Sequence, residues 1–252
     1  MADRAELADF YEAGYGGDAA RAERGSRWRA LGARGKVDHI LALCNRTGLH
    51  PRSTLDVGCG DGALLCELSR RGFGGRLAGV EIAQAAVEIA GARAELERVE
   101  LYDGRHLPAE DGEYELGVLS HVLEHVYEPA ELLKETARAC GAVIVEVPLE
   151  DNLSAHRAAK RTHAQEVGHL QRLSRTAMRA IVRDAGLRVA GELADPLPLA
   201  VHRFLASERP GATPQVAASA KWAVRAGLHR VAPPAARALF TVHYACLCLP
   251  AA

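Results

Sequence analysis

The feature that most constrains the fold is a glycine-rich turn between a buried apolar run and a helix. The run STLDV occupies residues 53–57, the turn GCGDG occupies 58–62, and a helical pattern follows at 63–71. Glycines let the backbone turn sharply and approach a ligand at a helix N-terminus. Glu81 ends the next apolar run, where a carboxylate can accept hydrogen bonds from ribose hydroxyls. The pattern predicts a binding site for an adenosine-containing cofactor.

Short apolar runs alternate with helical patterns from residue 53 onward. The predicted strands are 53–57, 77–81, 99–102, 114–119 and 142–147, with late strands around Val189 and at 242–249. A helix at 175–185 has Ser174 as its N-cap and Gly186 as its terminator. Such alternation predicts a doubly wound, Rossmann-like α/β sheet. We expect it to be mostly parallel, with an antiparallel last strand, N-terminal helices and a late helical insertion.

We expect one domain over residues 1–252, with three parts. The parts are a helical N-terminal lid (1–50), a core (51–195 and 241–250) and an insertion or cap (196–240). The insertion contains six prolines, and we predict a short helix within it, around 217–228. An interface between two copies of the chain is the other interpretation of this segment.

Charge and cysteine usage exclude several classes of protein. The 31 basic and 32 acidic residues leave a net charge of −1, so no overall field attracts nucleic acid or an anionic membrane. The six cysteines form no CxxC pair, and Cys246 and Cys248 would share one face of a strand. No apolar window approaches the ~18 residues that a membrane span needs. We therefore predict a reduced, cytoplasmic location without membrane insertion.

The glycine turn is compatible with more than one nucleotide cofactor. Gly58-x-Gly60-x-x-Ala63 also fits the fingerprint of dinucleotide-binding proteins. Asp56 shifts the balance, because a carboxylate two residues before the first glycine would repel a pyrophosphate but suits a ligand that carries an ammonium group.

Two stretches carry a resemblance to a known family. LDVGCGDG at 55–62, followed by GVEIAQAAVEIA at 79–90, resembles the cofactor-binding half of class I S-adenosylmethionine-dependent methyltransferases, and the resemblance covers about 53–190. It implies S-adenosylmethionine as the cofactor and an adenine contact at Asp103 and Gly104. The cofactor-binding residues that it implies are Asp56, Gly58, Cys59, Gly60, Glu81, Ile82, Asp103, Gly104, Ser120, His121 and Tyr15.

The segment after the fourth strand is similar to the small-molecule and sugar-type branch of that family. This similarity rests on the vLEHv stretch at 122–126. Ser120 and His121 would then lie beside the methionine portion of the cofactor. Tyr15 would contact the cofactor from N-terminal helices that close over it.

The same segment also fits a zinc motif. His121-x-x-Glu124-His125 matches the H-x-x-E-H pattern of inverted zinc proteases, which makes a zinc hydrolase the alternative function. A divalent ion assisting methyl transfer through these three side chains is a second alternative. We favour a packed turn, and we predict no metal site.

Methyl transfer to a hydroxyl group needs a base, whereas a neutral amine needs none. Our candidates for the base are His169 and His125, followed by His163 and His156. We expect a small-molecule acceptor, with O-methylation favoured and N-methylation open. No nucleic acid partner is expected, a homodimer is left open, and a non-catalytic nucleotide-binding module is the non-enzyme alternative.

Overall fold

A seven-stranded sheet forms the centre of the molecule. The computed structural model describes residues 2–15, 19–207 and 215–251. Strand order is β3-β2-β1-β4-β5-β7-β6. The strands are β1 (Ser53–Val57), β2 (Arg76–Glu81), β3 (Arg98–Leu101), β4 (Tyr114–Ser120), β5 (Cys140–Leu149), β6 (Leu187–Asp195) and β7 (Val242–Pro250).

Helices precede the sheet, connect its strands and cover both faces. They are α1 (Ala2–Tyr15), α2 (Ala19–Thr47), α3 (Ala63–Arg70), α4 (Gln84–Gly91), α5 (Pro129–Ala139), α6 (Ala158–Glu166), α7 (Arg175–Asp184), α8 (Leu199–Ser207), α9 (Gln215–Val231) and α10 (Pro233–Leu239). Short 3₁₀ turns occupy Leu123–His125 and Leu153–His156. Among the described helices, none combines the length and apolar character that a membrane crossing requires.

The predicted sheet is confirmed. Strands β1 to β5 pair in parallel, and β7 pairs antiparallel with both β5 and β6. The apolar runs fit this arrangement because the central strands are buried on both faces, as parallel strands under helices must be. Leu116 packs on one face with Ile40 of α2, while Val143 packs on the other with Leu133 of α5 and Met178 of α7.

The boundaries of α7 follow from local chemistry. Ser174 Oγ accepts a hydrogen bond from the Ala177 amide at 2.9 Å, which satisfies one of the free N–H groups at the helix start. Gly186 follows the helix with a φ of 76°, a conformation that favours glycine. Both predicted helix signals are therefore confirmed.

The late insertion is more helical than its sequence suggests. The helix predicted around 217–228 is present as α9, and α8 and α10 are further helices in the described part of this segment that the prediction did not include. Pro198 directly precedes α8, and Pro233 and Pro234 lie in the first turn of α10. Proline is tolerated there because the first amides of a helix have no intrahelical acceptor. Two further prolines, Pro210 and Pro214, lie outside the described residues.

Candidate cofactor and acceptor site

The glycine turn brings bare backbone to the carboxyl end of β1. Gly58 and Gly60 have φ values of 76° and 55°. A Cβ at Gly58 would lie 2.7 Å from Val122 Cγ2, and one at Gly60 would lie 2.5 Å from Tyr15 Oη. Neither position has room for a larger residue, so the turn forms a close-fitting cradle.

The amides of this turn are mostly engaged in hydrogen bonds within the protein. The Gly58 and Cys59 amides donate to the Val80 carbonyl at 2.8 and 3.1 Å, because the β1–β2 pairing continues into the turn. The Gly60 amide donates to Glu81 Oε2 at 2.8 Å. The glycines therefore contribute to the site mainly because they have no side chains that would fill it.

Glu81 is buried at the end of β2 and lines the main cavity. Its Oε1 accepts from the Ile82 amide at 2.7 Å, in addition to the bond from Gly60 at Oε2. Burial raises the pKa of this carboxyl group, and the backbone hydrogen bonds act against that shift. Oε1 also accepts a longer bond from the Ala83 amide at 3.4 Å, so the second lone pair of Oε2 is the acceptor that is left for a ribose hydroxyl.

Asp103 and Gly104 follow β3 at the same edge of the sheet. Asp103 Oδ1 accepts from the Arg105 and His106 amides, each at 2.7 Å. Although partial burial opposes the shift, hydrogen bonds from His106 and Arg105 lower the pKa of Asp103 to about 2. A Cβ at Gly104 would have Ile82 Cγ2 as its nearest neighbour, at 3.6 Å, so the two residues border an open slot.

Asp56 is an acid in the buried strand β1. Its side chain lines the cavity and is 3% exposed. Burial raises its pKa to about 7, while the nearby positive charge of Lys36 acts in the opposite direction. A ligand ammonium group would stabilise the ionised form of this carboxyl group.

Tyr15 and Arg29 connect the N-terminal helices to the glycine turn. The Arg29 guanidinium lies 4.6 Å from the centre of the Tyr15 ring. Its Nε also lies 2.9 Å from Oδ2 of the buried Asp61. Our sequence reasoning missed this ion pair, since nothing in the helical pattern singles out Arg29 as the partner of a turn residue.

A histidine cluster forms beside β4. His121 Nδ1 lies 3.0 Å from Glu124 Oε1, and His121 Nε2 lies 3.6 Å from Glu146 Oε1. His243 of β7 joins them, with Nδ1 3.4 Å from the same Glu146 oxygen. Burial lowers the pKa of His243, which favours a neutral imidazole.

The third histidine of this cluster comes from α2. His39 Nδ1 lies 3.1 Å from Glu146 Oε2, and its Nε2 lies 3.4 Å from Asp195. Although burial opposes it, the hydrogen bonds to Asp195 and Glu146 raise the pKa of His39 to about 9. Sequence reasoning missed Glu146, His243 and His39. The one available signal was Glu146 itself, a charged residue inside the apolar run 142–147.

A second histidine group lies nearby. His125 Nδ1 lies 3.0 Å from the Gly168 carbonyl, and its ring centre is 4.9 Å from that of His169. Burial lowers the pKa of His125. His169 Nδ1 lies 2.9 Å from Glu150 Oε2. His156 is exposed and does not line the cavity, and the side chain of His163 lies outside the described structure.

The zinc motif read from sequence does not form a compact ligand set. Among the described residues, two groups of three potential ligand atoms lie within 4.8 Å of one another: His121, Glu146 and His243, and Glu124, His125 and His169. The three residues of the motif are thus divided between them. His125 Nε2 lies 4.0 Å from Glu124 Oε1 because His125 turns its other nitrogen to Gly168.

One cavity of about 1480 Å³ connects these features. It is lined by the glycine turn, Glu81 and Asp103, and also by His121, His169 and His243. Ser120 Oγ is buried in its wall and has no hydrogen-bond partner among the described residues. Together with the glycine cradle, this unpartnered hydroxyl fits a bound polar cofactor.

Comparison with known proteins agrees with this geometry. The match to a methyltransferase family and the likeness of the fold to solved methyltransferases define the class of this protein. It is a class I S-adenosylmethionine-dependent methyltransferase, an enzyme whose cofactor is S-adenosylmethionine. The family described as the methyltransferase domain matches residues 27–191, and the chain belongs to this family. The sugar-type branch, the cytoplasmic location and the homodimer stay predictions.

Similar proteins come from several organisms. The ubiquinone biosynthesis O-methyltransferase of Acinetobacter baylyi is 33% identical over 93 residues, which is 34% of this chain and 38% of that protein. This chain thus matches well under half the length of that relative. Magnesium protoporphyrin IX methyltransferase (ChlM) of Synechocystis PCC 6803, solved with bound SAH, has a TM-score of 0.60 at 15% identity and covers 98% of this chain and 100% of its own.

Another solved structure is the [4+2]-cyclase SpnF. It has a TM-score of 0.57 at 20% identity and covers 84% of this chain and 80% of its own. At these identities the structural matches show the fold alone. None of the matches described here supports the zinc hydrolase alternative or the non-catalytic module.

Proposed function

We propose that this protein methylates an oxygen atom of a small-molecule acceptor. The observation that supports this most directly is the single cavity shared by the cofactor residues and the histidines. The partial match to the ubiquinone O-methyltransferase favours oxygen as the methylated atom. N-methylation is the second candidate, because an amine would need none of these histidines as a base.

In this proposal the cofactor lies along the carboxyl ends of β1, β2 and β3. Glu81 binds the ribose hydroxyls, and Asp103 and Gly104 border the adenine. Asp56 and the cradle of Gly58, Cys59 and Gly60 receive the amino acid portion. The supporting observations are the close contact between Gly60 and Tyr15, the burial of Glu81 and the open slot between Ile82 and Gly104. Ser120 and His121 border the methionine side.

His169 is the favoured general base, with His125 next. Bound S-adenosylmethionine supplies an electrophilic methyl group on a sulfonium. The carboxylate of Glu150 can accept a hydrogen bond from His169 Nδ1–H at 2.9 Å, which leaves Nε2 unprotonated and able to take the proton of the acceptor hydroxyl. His125 can donate a hydrogen bond from Nδ1 to the Gly168 carbonyl, which would likewise leave its Nε2 able to take a proton.

The N-terminal helices act as a lid and the 196–240 segment as a cap over the acceptor. Glu12 of α1 accepts a hydrogen bond from the Ala85 amide at 3.1 Å, and Tyr15 lies against Gly60. Trp28 of α2 contacts Phe204 of α8, with ring centres 5.6 Å apart, and both line the cavity. Opening of these contacts would admit the ligands.

The test combines cofactor binding and product formation. We expect calorimetry to detect S-adenosylhomocysteine but not NAD, and labelled methyl groups to transfer to phenols or alcohols from a small-molecule panel. Product analysis identifies the methylated atom. Methylation of amines alone would favour the second candidate, and tight NAD binding without S-adenosylhomocysteine binding would contradict the proposal.

A further inference from the structure

Three side chains from three strand regions bring their ligand atoms together. His121 Nε2 lies 3.3 Å from His243 Nδ1 and 3.6 Å from Glu146 Oε1. His243 Nδ1 lies 3.4 Å from the same Glu146 oxygen. The three atoms therefore form a nearly equilateral triangle at the cavity wall.

The size of this triangle fits a metal ion. Metal–ligand bonds of about 2.0–2.2 Å place two ligands of a tetrahedral site roughly 3.3–3.6 Å apart. The three distances between ligand atoms lie within that range. Two imidazoles and one carboxylate are also a common ligand set for a metal that keeps an open position.

Two further observations favour an ion bound by the three side chains of the triangle. Glu146 Oε1 is buried, and its nearest polar neighbours among the described residues are the two imidazole nitrogens at 3.4 and 3.6 Å, which are too distant for well-formed hydrogen bonds. His121 has a φ of 60°, and no other non-glycine residue in the described ranges has a positive φ. Such strained backbone is concentrated at functional sites.

The outer partners of these side chains suit metal ligation. Glu124 Oε1 lies 3.0 Å from His121 Nδ1, the nitrogen that faces away from the triangle. His39 binds the second oxygen of Glu146 at 3.1 Å. Carboxylates behind ligating histidines, and hydrogen bonds to ligating carboxylates, hold metal ligands in orientation.

We propose that His121, Glu146 and His243 bind one divalent transition-metal ion, with zinc as the best fit. Imidazole ligands favour zinc and its first-row neighbours over Mg²⁺. The open position faces the cavity, where it would take the hydroxyl oxygen of the acceptor. This last step rests on the proposed O-methylation, whereas the metal site itself does not.

The second histidine group is a weaker candidate. Its Glu124 and His125 ligand atoms are 4.0 Å apart, which exceeds the spacing of a tetrahedral site. Glu124 also pairs with His121 at the shorter distance of 3.0 Å. Glu124 is therefore an outer partner of His121 and not one of the three proposed metal ligands.

The experiment uses the tag-free 252-residue chain, dialysed against chelator and titrated with Co²⁺ as a spectroscopic probe for zinc. We expect one equivalent to bind, with the strong visible absorption of a tetrahedral site, and Zn²⁺ to displace it. Glu146→Gln and His243→Ala should each weaken Co²⁺ binding by about 100-fold or more. Circular dichroism verifies that both variants fold. If His243→Ala does not fold, the nearly isosteric Glu146→Gln still tests the site.

Two control variants locate the ion. His156→Ala removes an exposed histidine, and His169→Ala removes a member of the second group; both should keep Co²⁺ binding. The inference is overturned if Co²⁺ does not bind, if binding survives both triangle variants, or if only His169→Ala abolishes it. Product analysis of the methylated atom tests the proposed O-methylation separately, because Co²⁺ binding does not depend on which atom receives the methyl group.

Discussion

Arg29 Nε lies 2.9 Å from Asp61 Oδ2, and this pair connects the N-terminal helix α2 to the glycine turn. The Asp61 side chain is 1% exposed, whereas that of Arg29 is 28% exposed. Arg93 Nη2 lies 3.8 Å from the same Asp61 oxygen, so Arg29 is the nearer of two cations that compensate this buried carboxylate.

Arg29→Ala should therefore destabilise the protein by about 1–3 kcal/mol. We also expect weaker cofactor binding, since the Arg29 guanidinium packs on Tyr15 above the turn. Arg52→Ala is the matched control, because its pair with Glu115 is exposed and should contribute under about 1 kcal/mol. Urea unfolding measures both variants, and equal losses would contradict a special role for Arg29.

Glu81→Gln should weaken S-adenosylmethionine binding by about tenfold or more, because charged hydrogen bonds contribute about 1.5–3 kcal/mol. The glutamine side chain has an NH₂ group in place of one carboxylate oxygen. In one of its two orientations this group would face the Gly60 N–H, so we expect some loss of thermal stability. The control is Glu88→Gln, because Glu88 is exposed on α4 and hydrogen-bonds another exposed side chain there. An unchanged dissociation constant in folded Glu81→Gln would exclude Glu81 as the ribose ligand.

Cofactor affinity should rise with pH toward about 7 and then level off. Burial raises the pKa of Asp56 to about 7, so the carboxyl group is mostly protonated below that pH in the free protein. Pairing with a ligand ammonium group requires the ionised form, so binding releases a proton at low pH. Affinity should change by up to about tenfold per pH unit there. Calorimetry between pH 5.5 and 8.5 should show a flatter profile for Asp56→Asn, and identical profiles would refute the pairing.

His169→Ala should lower kcat by about 10²–10⁴-fold while leaving cofactor affinity nearly constant. Glu150→Gln should lower kcat less, because it removes only the carboxylate that orients His169. The histidine limb of the pH–rate profile should disappear in His169→Ala. If melting temperature and acceptor binding fall together while the profile keeps its shape, His169 is structural and His125 becomes the leading base.

Local patterns in the sequence predicted the sheet and the turn that follows its first strand, while the cofactor contacts of individual residues stay predictions. Strand β1, the glycine turn and Glu81 are neighbours along the chain, and a strand–turn–helix unit constrains its own geometry. The capping of α7 by Ser174 was predictable for the same reason. These features depend on residues a few positions apart.

The histidine cluster was not predictable in this way. His39 and Glu146 are separated by 107 residues, and His121 and His243 by 122. The first pair depends on the packing of α2 against the sheet and the second on the insertion of β7 next to β5, and no local pattern encodes either. The zinc motif was misleading because its spacing suits a helix, whereas the chain at Leu123–His125 forms a single 3₁₀ turn.

The place of β7 between β5 and β6 has a consequence for synthesis on the ribosome. A nascent chain that has reached residue 195 contains six strands but has an unfilled slot in its sheet, since β6 is paired only through β7. The later segment, about fifty residues long, must emerge before that slot closes. Until then the edge of β5 stays open to other chains. His243 arrives with the closing strand, so the triangle with His121 and Glu146 is completed in the same event that seals the sheet.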